Sequence, residues 1–330
     1  MNVYGVVKLN RFIQSAFIKS IAIWVFHVLR KRYLVVFFDP LLACNLRCKM
    51  CYFSKENKRK NLKGIFTKDD LPLAAKAIFK QALKLQIGCG AEPSLFKYNV
   101  DLVKLGKLYK VPYISFTTNA NLLDKESIYA LLEAELDEFT ISLHGVEKST
   151  YEDLMQGANY EKFLEVIHLI STAKDSFPHA KLRINYTVNE QNIKELSRFF
   201  DVFKAVKIDI LQVRPLQDIG GELFEIADQE SFNTQFNVLT KYLKEACVQR
   251  KITYIAPSFL STTTKVNKSS SIMNFVYCYI SPNYFWRNDF DWRNETLPQY
   301  SKRVHYSSQL FKRIFSKKEL TNDKLNYDVV

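Results

Sequence analysis

Six short runs of strand-forming residues, Tyr33 to Phe38, Leu85 to Cys89, Tyr113 to Thr117, Glu138 to Leu143, Lys181 to Val188 and Ile208 to Val213, are separated by segments of helical period. Strands that alternate with helices build βαβ units, and repeated βαβ units build a parallel sheet. This alternation constrains the fold more than any other property of the chain. It predicts an α/β domain whose ligands lie beyond the C-terminal strand ends. The first connection after the polar stretch Ser54 to Gly64 is expected to be a helix from Thr67 to Lys84, with Thr67 as N-cap and Asp69 and Asp70 in its first turn. With 330 residues, 47% hydrophobic and 25% charged, the chain has material for one large domain and a smaller appendage. No repeat, low-complexity tract or long Gly/Ser linker is present.

Directly after the first run comes Leu-Leu-Ala-Cys-Asn-Leu-Arg-Cys-Lys-Met-Cys-Tyr, which places Cys44, Cys48 and Cys51 on one loop. Three thiolates ligate three of the four irons of a 4Fe-4S cluster and leave one iron open to a non-protein ligand. A structural zinc site wants four protein ligands, commonly from paired cysteine spacings, and there is no second pair. A disulfide framework fails differently. Three cysteines on an eight-residue loop cannot all pair, and six cysteines without an evident signal peptide suit a reducing compartment.

The C-x3-C-x2-C spacing in a strand-then-loop context resembles the signature of the radical S-adenosylmethionine (SAM) superfamily. The resemblance implies a partial (β/α)6 TIM-type barrel with an N-terminal helix and a small C-terminal extension. It also implies one 4Fe-4S cluster held by Cys44, Cys48 and Cys51, with SAM chelating the open iron. Reductive cleavage of SAM would give a 5'-deoxyadenosyl radical that abstracts hydrogen from a substrate, with an external flavodoxin- or ferredoxin-like electron donor.

Further motifs fall at strand ends. Gly90-Ala91-Glu92-Pro93 resembles the family's Gly-Gly-Glu-Pro motif, which holds the SAM amino group, with Ala91 in place of a glycine. Thr118 and Asn119, in Thr-Thr-Asn-Ala, resemble the family's Thr-Asn-Gly turn near SAM. Ser142, Asn185 and Arg214 match polar positions near SAM in relatives, and Met50 stands where relatives place an aromatic against the adenine. On the residues alone, these segments also read as ordinary turns, helix caps, barrel hydrogen bonds or a surface cation. No catalytic side chain is assigned; His144, at the end of the fourth run, is the one candidate.

The remaining sequence divides into residues 1–32, an amphipathic helix, 33–220, the core, and 221–330, an extension with an aromatic segment and a basic tail. Residues 8 to 31 place Lys8, Arg11, Ser15, Lys19, His27 and Arg30 beside the apolar run Ile21 to Leu29. Interfacial membrane binding and packing on the barrel both fit that pattern. The formal charge of +13 favours an anionic neighbour. The aromatic stretch Phe275 to Trp292 reads equally as core or as a substrate wall. Cys89, Cys247 and Cys278 read as core thiols, because the spaced cysteines of auxiliary-cluster relatives do not follow Cys278.

The sequence therefore leads to a cytoplasmic radical SAM enzyme, either free or peripheral at the inner face of a membrane. Its substrate is a peptide or protein, or a lipid- or sugar-linked metabolite. A cluster-binding regulator without turnover and a nucleic-acid-modifying enzyme stand as alternatives, the latter motivated only by charge; nucleic acid is not the expected partner.

Overall fold

The computed structural model of the chain describes residues 13, 15–216, 226–257 and 273–315. Helix α1 (Ala16–Val28) leads into β1 (Leu34–Phe38). Then follow α2 (Glu56–Asn61), α3 (Asp70–Ile78), β2 (Ala82–Ile87), α4 (Asn99–Leu108), β3 (Ile114–Thr118), α5 (Lys125–Glu133) and β4 (Glu138–Leu143). The core continues through α6 (Lys148–Leu154), α7 (Tyr160–Ala173), β5 (Lys181–Val188), α8 (Phe199–Val202) and β6 (Ile210–Pro215). Beyond it lie α9 (Gln229–Gln249), β7 (Thr253–Ile255), α10 (Met273–Val276), β8 (Tyr277–Ser281), β9 (Tyr284–Phe285), α11 (Leu297–Arg303) and α12 (Tyr306–Ile314).

These strands form one sheet in the order β7-β6-β5-β4-β3-β2-β1-β8-β9. All neighbours are parallel except β8 and β9. The six predicted strands are the central run, and the fold is the partial α/β barrel that the motifs implied. β7 and β8 extend the sheet at its two sides, so elements assigned by sequence to the extension pair directly with β6 and β1. The expected boundary near residue 220 lies outside the described residues.

Side chains alternate across this sheet. Ile114 and Phe116, Phe139, Ile141 and Leu143, Leu182, Ile184 and Tyr186, and Leu211 and Val213 are all essentially inaccessible and join the hydrophobic core. The intervening positions are Ser115 and Thr117, Glu138, Thr140 and Ser142, Arg183, Asn185 and Thr187, and Gln212 and Arg214. A parallel sheet buried on both faces usually reads as continuous apolar runs. Here one face is apolar and the other is polar enough to be a binding surface.

One predicted element is corrected. α3 stops at Ile78, a 3-10 turn covers Phe79–Gln81, and β2 begins at Ala82, so the helix expected through Lys84 is shorter. Pairing decides this: Ala82, Lys84 and Leu85 lie opposite Leu34, Val35 and Val36 of β1, and Leu85 is fully buried. Local helix preference yields to that tertiary gain. The N-cap is Asp69 rather than Thr67, which lies two residues earlier and bonds Asp70 instead, its Oγ1 accepting from the Asp70 amide at 3.2 Å and donating to Asp70 Oδ2 at 2.9 Å.

Candidate active site

The cysteine loop leaves the C-terminal end of β1 and is pinned from three directions. The Glu92 amide donates to the Ala43 carbonyl at 2.9 Å, the Arg47 amide to Gln156 O at 2.9 Å, and Lys49 Nζ to Asp153 Oδ1 at 2.6 Å. Cys44, Cys48 and Cys51 are all unbridged and only partly covered. Burial pushes each thiol up, Cys44 to about 12, and the groups reinforce one another: Cys51 and Cys44 both raise Cys48. Three thiols sharing one space resist becoming anions until a cation joins them, and iron deprotonates a ligating thiol outright. Among the described residues, no group of three or more His, Cys, Asp or Glu side chains could hold a single metal ion. A cluster that takes one thiolate per iron suits the loop better.

Two buried carboxylates build the walls beside that loop. Asp39, completely inaccessible, follows β1 and accepts from the Cys89 amide at 2.7 Å, the Gly90 amide at 2.9 Å and the Tyr279 hydroxyl at 2.8 Å. Tyr52, immediately after Cys51, donates to the Gly90 carbonyl at 2.5 Å. A Cβ at Gly90 would lie 2.4 Å from Tyr52 Oη, so any larger residue would have to displace that hydroxyl from the Gly90 carbonyl. Glu92 is satisfied by protein donors: the Ser94 hydroxyl at 2.6 Å, the Thr118 hydroxyl at 2.6 Å and the Asn119 amide at 2.8 Å. Burial raises both carboxyls and these donors oppose the rise.

Gly90 and Ala91 are partly exposed beside the cysteine loop, while Pro93 is buried and opens a 3-10 turn capped by Glu92. Met50 is buried. Asn119 donates from Nδ2 to Asn45 Oδ1 at 2.9 Å, tying the β3 turn to the cysteine loop. Ala120 holds φ at 68°, the left-handed conformation for which related turns use glycine. Ser142, Asn185 and Gln212 occupy one row across β4, β5 and β6, and Thr187 lies opposite Arg214 in the next. Asn185 accepts from Arg183 Nε at 2.8 Å. His144 is buried and, through desolvation and then Arg214, is held neutral down to about pH 3. Among the described residues, the buried atoms without a partner include Ser115 Oγ, Thr117 Oγ1, His144 Nδ1 and Thr187 Oγ1.

The aromatic segment divides between its two readings. Phe285, Trp286 and Phe290 are core, with Phe285 stacked on Trp292 at 4.9 Å. Tyr279 instead reaches the site through Asp39. Cys89 follows β2, Cys247 is buried on α9 and Cys278 on β8, three separate elements. Motif reading missed Asp39, Asn45, Tyr52 and Tyr279. The available signal was an acid closing an apolar strand just before the thiol loop.

The fold and this thiol loop define a SAM-dependent iron-sulfur enzyme. Residues 40–202 match the radical SAM superfamily profile, and the chain belongs to that superfamily. It is 27% identical over 225 residues to a probable GTP 3',8-cyclase of Saccharolobus solfataricus, covering 66% of this chain and 69% of that protein. A second relative of the same description, from Sulfolobus acidocaldarius, is 28% identical over 178 residues, 54% of each chain. In fold, the chain is similar to Streptococcus suis SuiB bound to S-adenosylmethionine, with TM-score 0.64, 17% identity and coverage of 89% of this chain and 70% of that one. Native anSMEcpe with bound AdoMet superposes with TM-score 0.58 and 15% identity over 86% and 84% of the two chains. The protein is thus a radical SAM enzyme that uses a 4Fe-4S cluster and SAM and needs a substrate and an electron donor.

Proposed function

We propose that this enzyme generates its radical over the polar face of the barrel and removes hydrogen from a small, polar, hydroxyl- or phosphate-bearing metabolite of the nucleotide or sugar-linked kind. The observation that carries this reading is the pair of buried polar atoms without a partner among the described residues, His144 Nδ1 just after β4 and Thr187 Oγ1 near the end of β5, where Thr187 lies opposite Arg214 of β6. Orphaned buried donors and acceptors cost free energy unless a ligand completes them. A nucleotide-acting description of the relatives supports the same substrate class.

In this reading Cys44, Cys48 and Cys51 hold three irons. When bound, the cluster and SAM supply a carbon-centred radical on one-electron reduction by a flavodoxin- or ferredoxin-like donor in a reducing, cytoplasmic setting. Asp39, Tyr52 and Tyr279 fix the Gly90 turn, and Glu92 locks it to Thr118 and Asn119, so the backbone facing SAM is set before SAM arrives. Gly90, Ala91, Thr118 and Asn119 would hold the amino acid end of SAM, Met50 would pack on the adenine, and Ser142 and Asn185 would take the ribose. Neutral His144 and Arg214 meet the substrate's polar groups. His144 stays a neutral hydrogen-bonding group throughout the working pH range.

The test is anaerobic reconstitution with iron and sulfide, then SAM and dithionite with GTP, sugar nucleotides and peptides offered in turn, reading 5'-deoxyadenosine by mass spectrometry. About four irons per chain are expected, with deoxyadenosine release stimulated by a nucleotide or sugar nucleotide and abolished in Cys48→Ala. Stimulation by peptides alone would overturn the substrate class. Competent protein that binds no iron would overturn the whole reading.

A further inference from the structure

The two ends of the described chain meet outside the barrel. α1 lies along α12, with the Trp24 and Phe311 rings 5.3 Å apart and Phe17 and Phe315 6.2 Å apart. The inward side of α1 is Ile23 and His27, the latter bonded through Nδ1 to the Tyr33 hydroxyl at 2.9 Å and through Nε2 to the Ser301 hydroxyl at 2.8 Å. At about 3.6 residues per turn, the opposite side carries Ile18, Ile21, Ala22, Val25, Val28 and Leu29. Not one of these is polar. Leu29 is 59% exposed, Ile18 53% and, on the neighbouring helix end, Phe315 67%. The structure thus inverts the simple amphipathic expectation: the histidine is buried and the apolar stripe faces outward.

The two sequence segments that carry these helices are also cationic. Residues 1–38 contain six Lys or Arg, residues 296–318 contain six more, and neither segment has an Asp or Glu, while the whole chain carries a formal +13. The rest of the chain is close to neutral. Within the described hairpin these cations are Lys19, Arg30, Lys31, Arg32, Lys302, Arg303, Lys312 and Arg313. Arg32 turns inward to the carbonyls of Phe79, Ala82 and Tyr109, and Arg303 pairs with Glu295. Lys31 and Lys312 stay exposed.

We propose that the α1/α12 hairpin is a membrane-docking face that seats its apolar stripe at the headgroup boundary of an anionic phospholipid bilayer. An apolar centre ringed by cations matches that surface in both respects. Nucleic acid would need cations at the centre of contact, where this face has none. A second copy docked face to face would bring two like-charged rings together. The contact is interfacial, because among the described residues no helix is long and apolar enough to cross a membrane.

The experiment is co-sedimentation of the reconstituted full chain with vesicles of phosphatidylcholine alone or with about 30% phosphatidylglycerol. It uses no SAM or reductant, so its result is independent of the radical chemistry. Binding is expected only with phosphatidylglycerol, weakened roughly tenfold or more by Ile18→Glu/Leu29→Glu and severalfold by Lys31→Glu/Lys312→Glu, with Val238→Glu, on exposed α9, neutral. Thermal unfolding checks that the variants fold. Phe315→Trp gives a second readout in otherwise unchanged protein, its fluorescence quenched by brominated acyl chains. Absence of binding, binding insensitive to Ile18→Glu/Leu29→Glu in folded protein, an unquenched tryptophan, or a dimer dispersed by the same pair would each overturn the proposal.

Discussion

The two sides of the barrel mouth are built on opposite principles. Beside β1 and β2, Asp39 and Glu92 are buried, yet each accepts several protein hydrogen bonds that fix the turns around Gly90 and Asn119. Beside β4 and β5, His144 Nδ1 and Thr187 Oγ1 are also buried and have no partner among the described residues. A saturated carboxylate stabilises the fold whether or not a ligand is present. An orphaned polar atom weakens the empty fold and gains its partner only when something binds. The first side is scaffold, and in the proposed function the second is where recognition is concentrated.

That contrast makes graded predictions. Asp39→Ala is expected to have the largest effect, leaving three donors unpaired and costing about 3–5 kcal/mol; urea unfolding of the iron-free protein measures it. A loss below about 1 kcal/mol would erase the distinction between the two sides. Gly88 has φ of 81°, and a Cβ there would lie 2.4 Å from the Thr117 carbonyl. Gly88→Ala should therefore cost about 2–3 kcal/mol, visible as a lowered thermal midpoint. On the other side, His144→Ala should lower kcat/KM about tenfold, or ~1.4 kcal/mol, with little change in stability. Thr187→Val should raise KM a few-fold and leave the unfolding midpoint unchanged or slightly higher. A large stability loss in either variant would move that residue to the scaffold side.

A further effect concerns pH. Burial lowers the Lys84 amine to about 8, with Glu138 opposing and Arg183 assisting. Below pH 8 both folded and unfolded chains carry this proton, and the folded state bears the cost of the buried charge. Between about 8 and 10.5 the unfolded chain binds more proton, so stability contributed through Lys84 rises with pH. Lys84→Met should accordingly be more stable than the parent by roughly 1–3 kcal/mol at neutral pH, and the difference should shrink as pH climbs through that window. Denaturant titrations at several pH values measure it.

The strand count, the order of βα units and the thiol loop were legible because they rest on local periodicity and spacing. β2 began earlier than its own residues suggested because Ala82 and Lys84 are held by β1, a partner distant in sequence. Glu92 was legible as an important acid, but its embedding in Ser94, Thr118 and Asn119 was not. Asp39 and Tyr279 depend on a contact between residues 240 positions apart, which no motif reports. The polar alternation along β4 and β5 was present in the letters, and its meaning emerged once the opposite face proved to be sealed core.

The insertion of β8 beside β1 has a consequence for how the protein is made. β1 emerges from the ribosome early, yet its second neighbour, and the tyrosine that clasps Asp39, are synthesised near the end. Throughout that interval one edge of β1 remains an open template for foreign strands, next to a loop of three unbridged thiols. Cluster insertion before Tyr279 has been translated would meet a half-clasped Gly90 turn. The clasp on the Gly90 turn is therefore complete only once β8 has been made, and truncation ahead of β8 would yield a chain with every cysteine of the motif and an unfinished turn beside them.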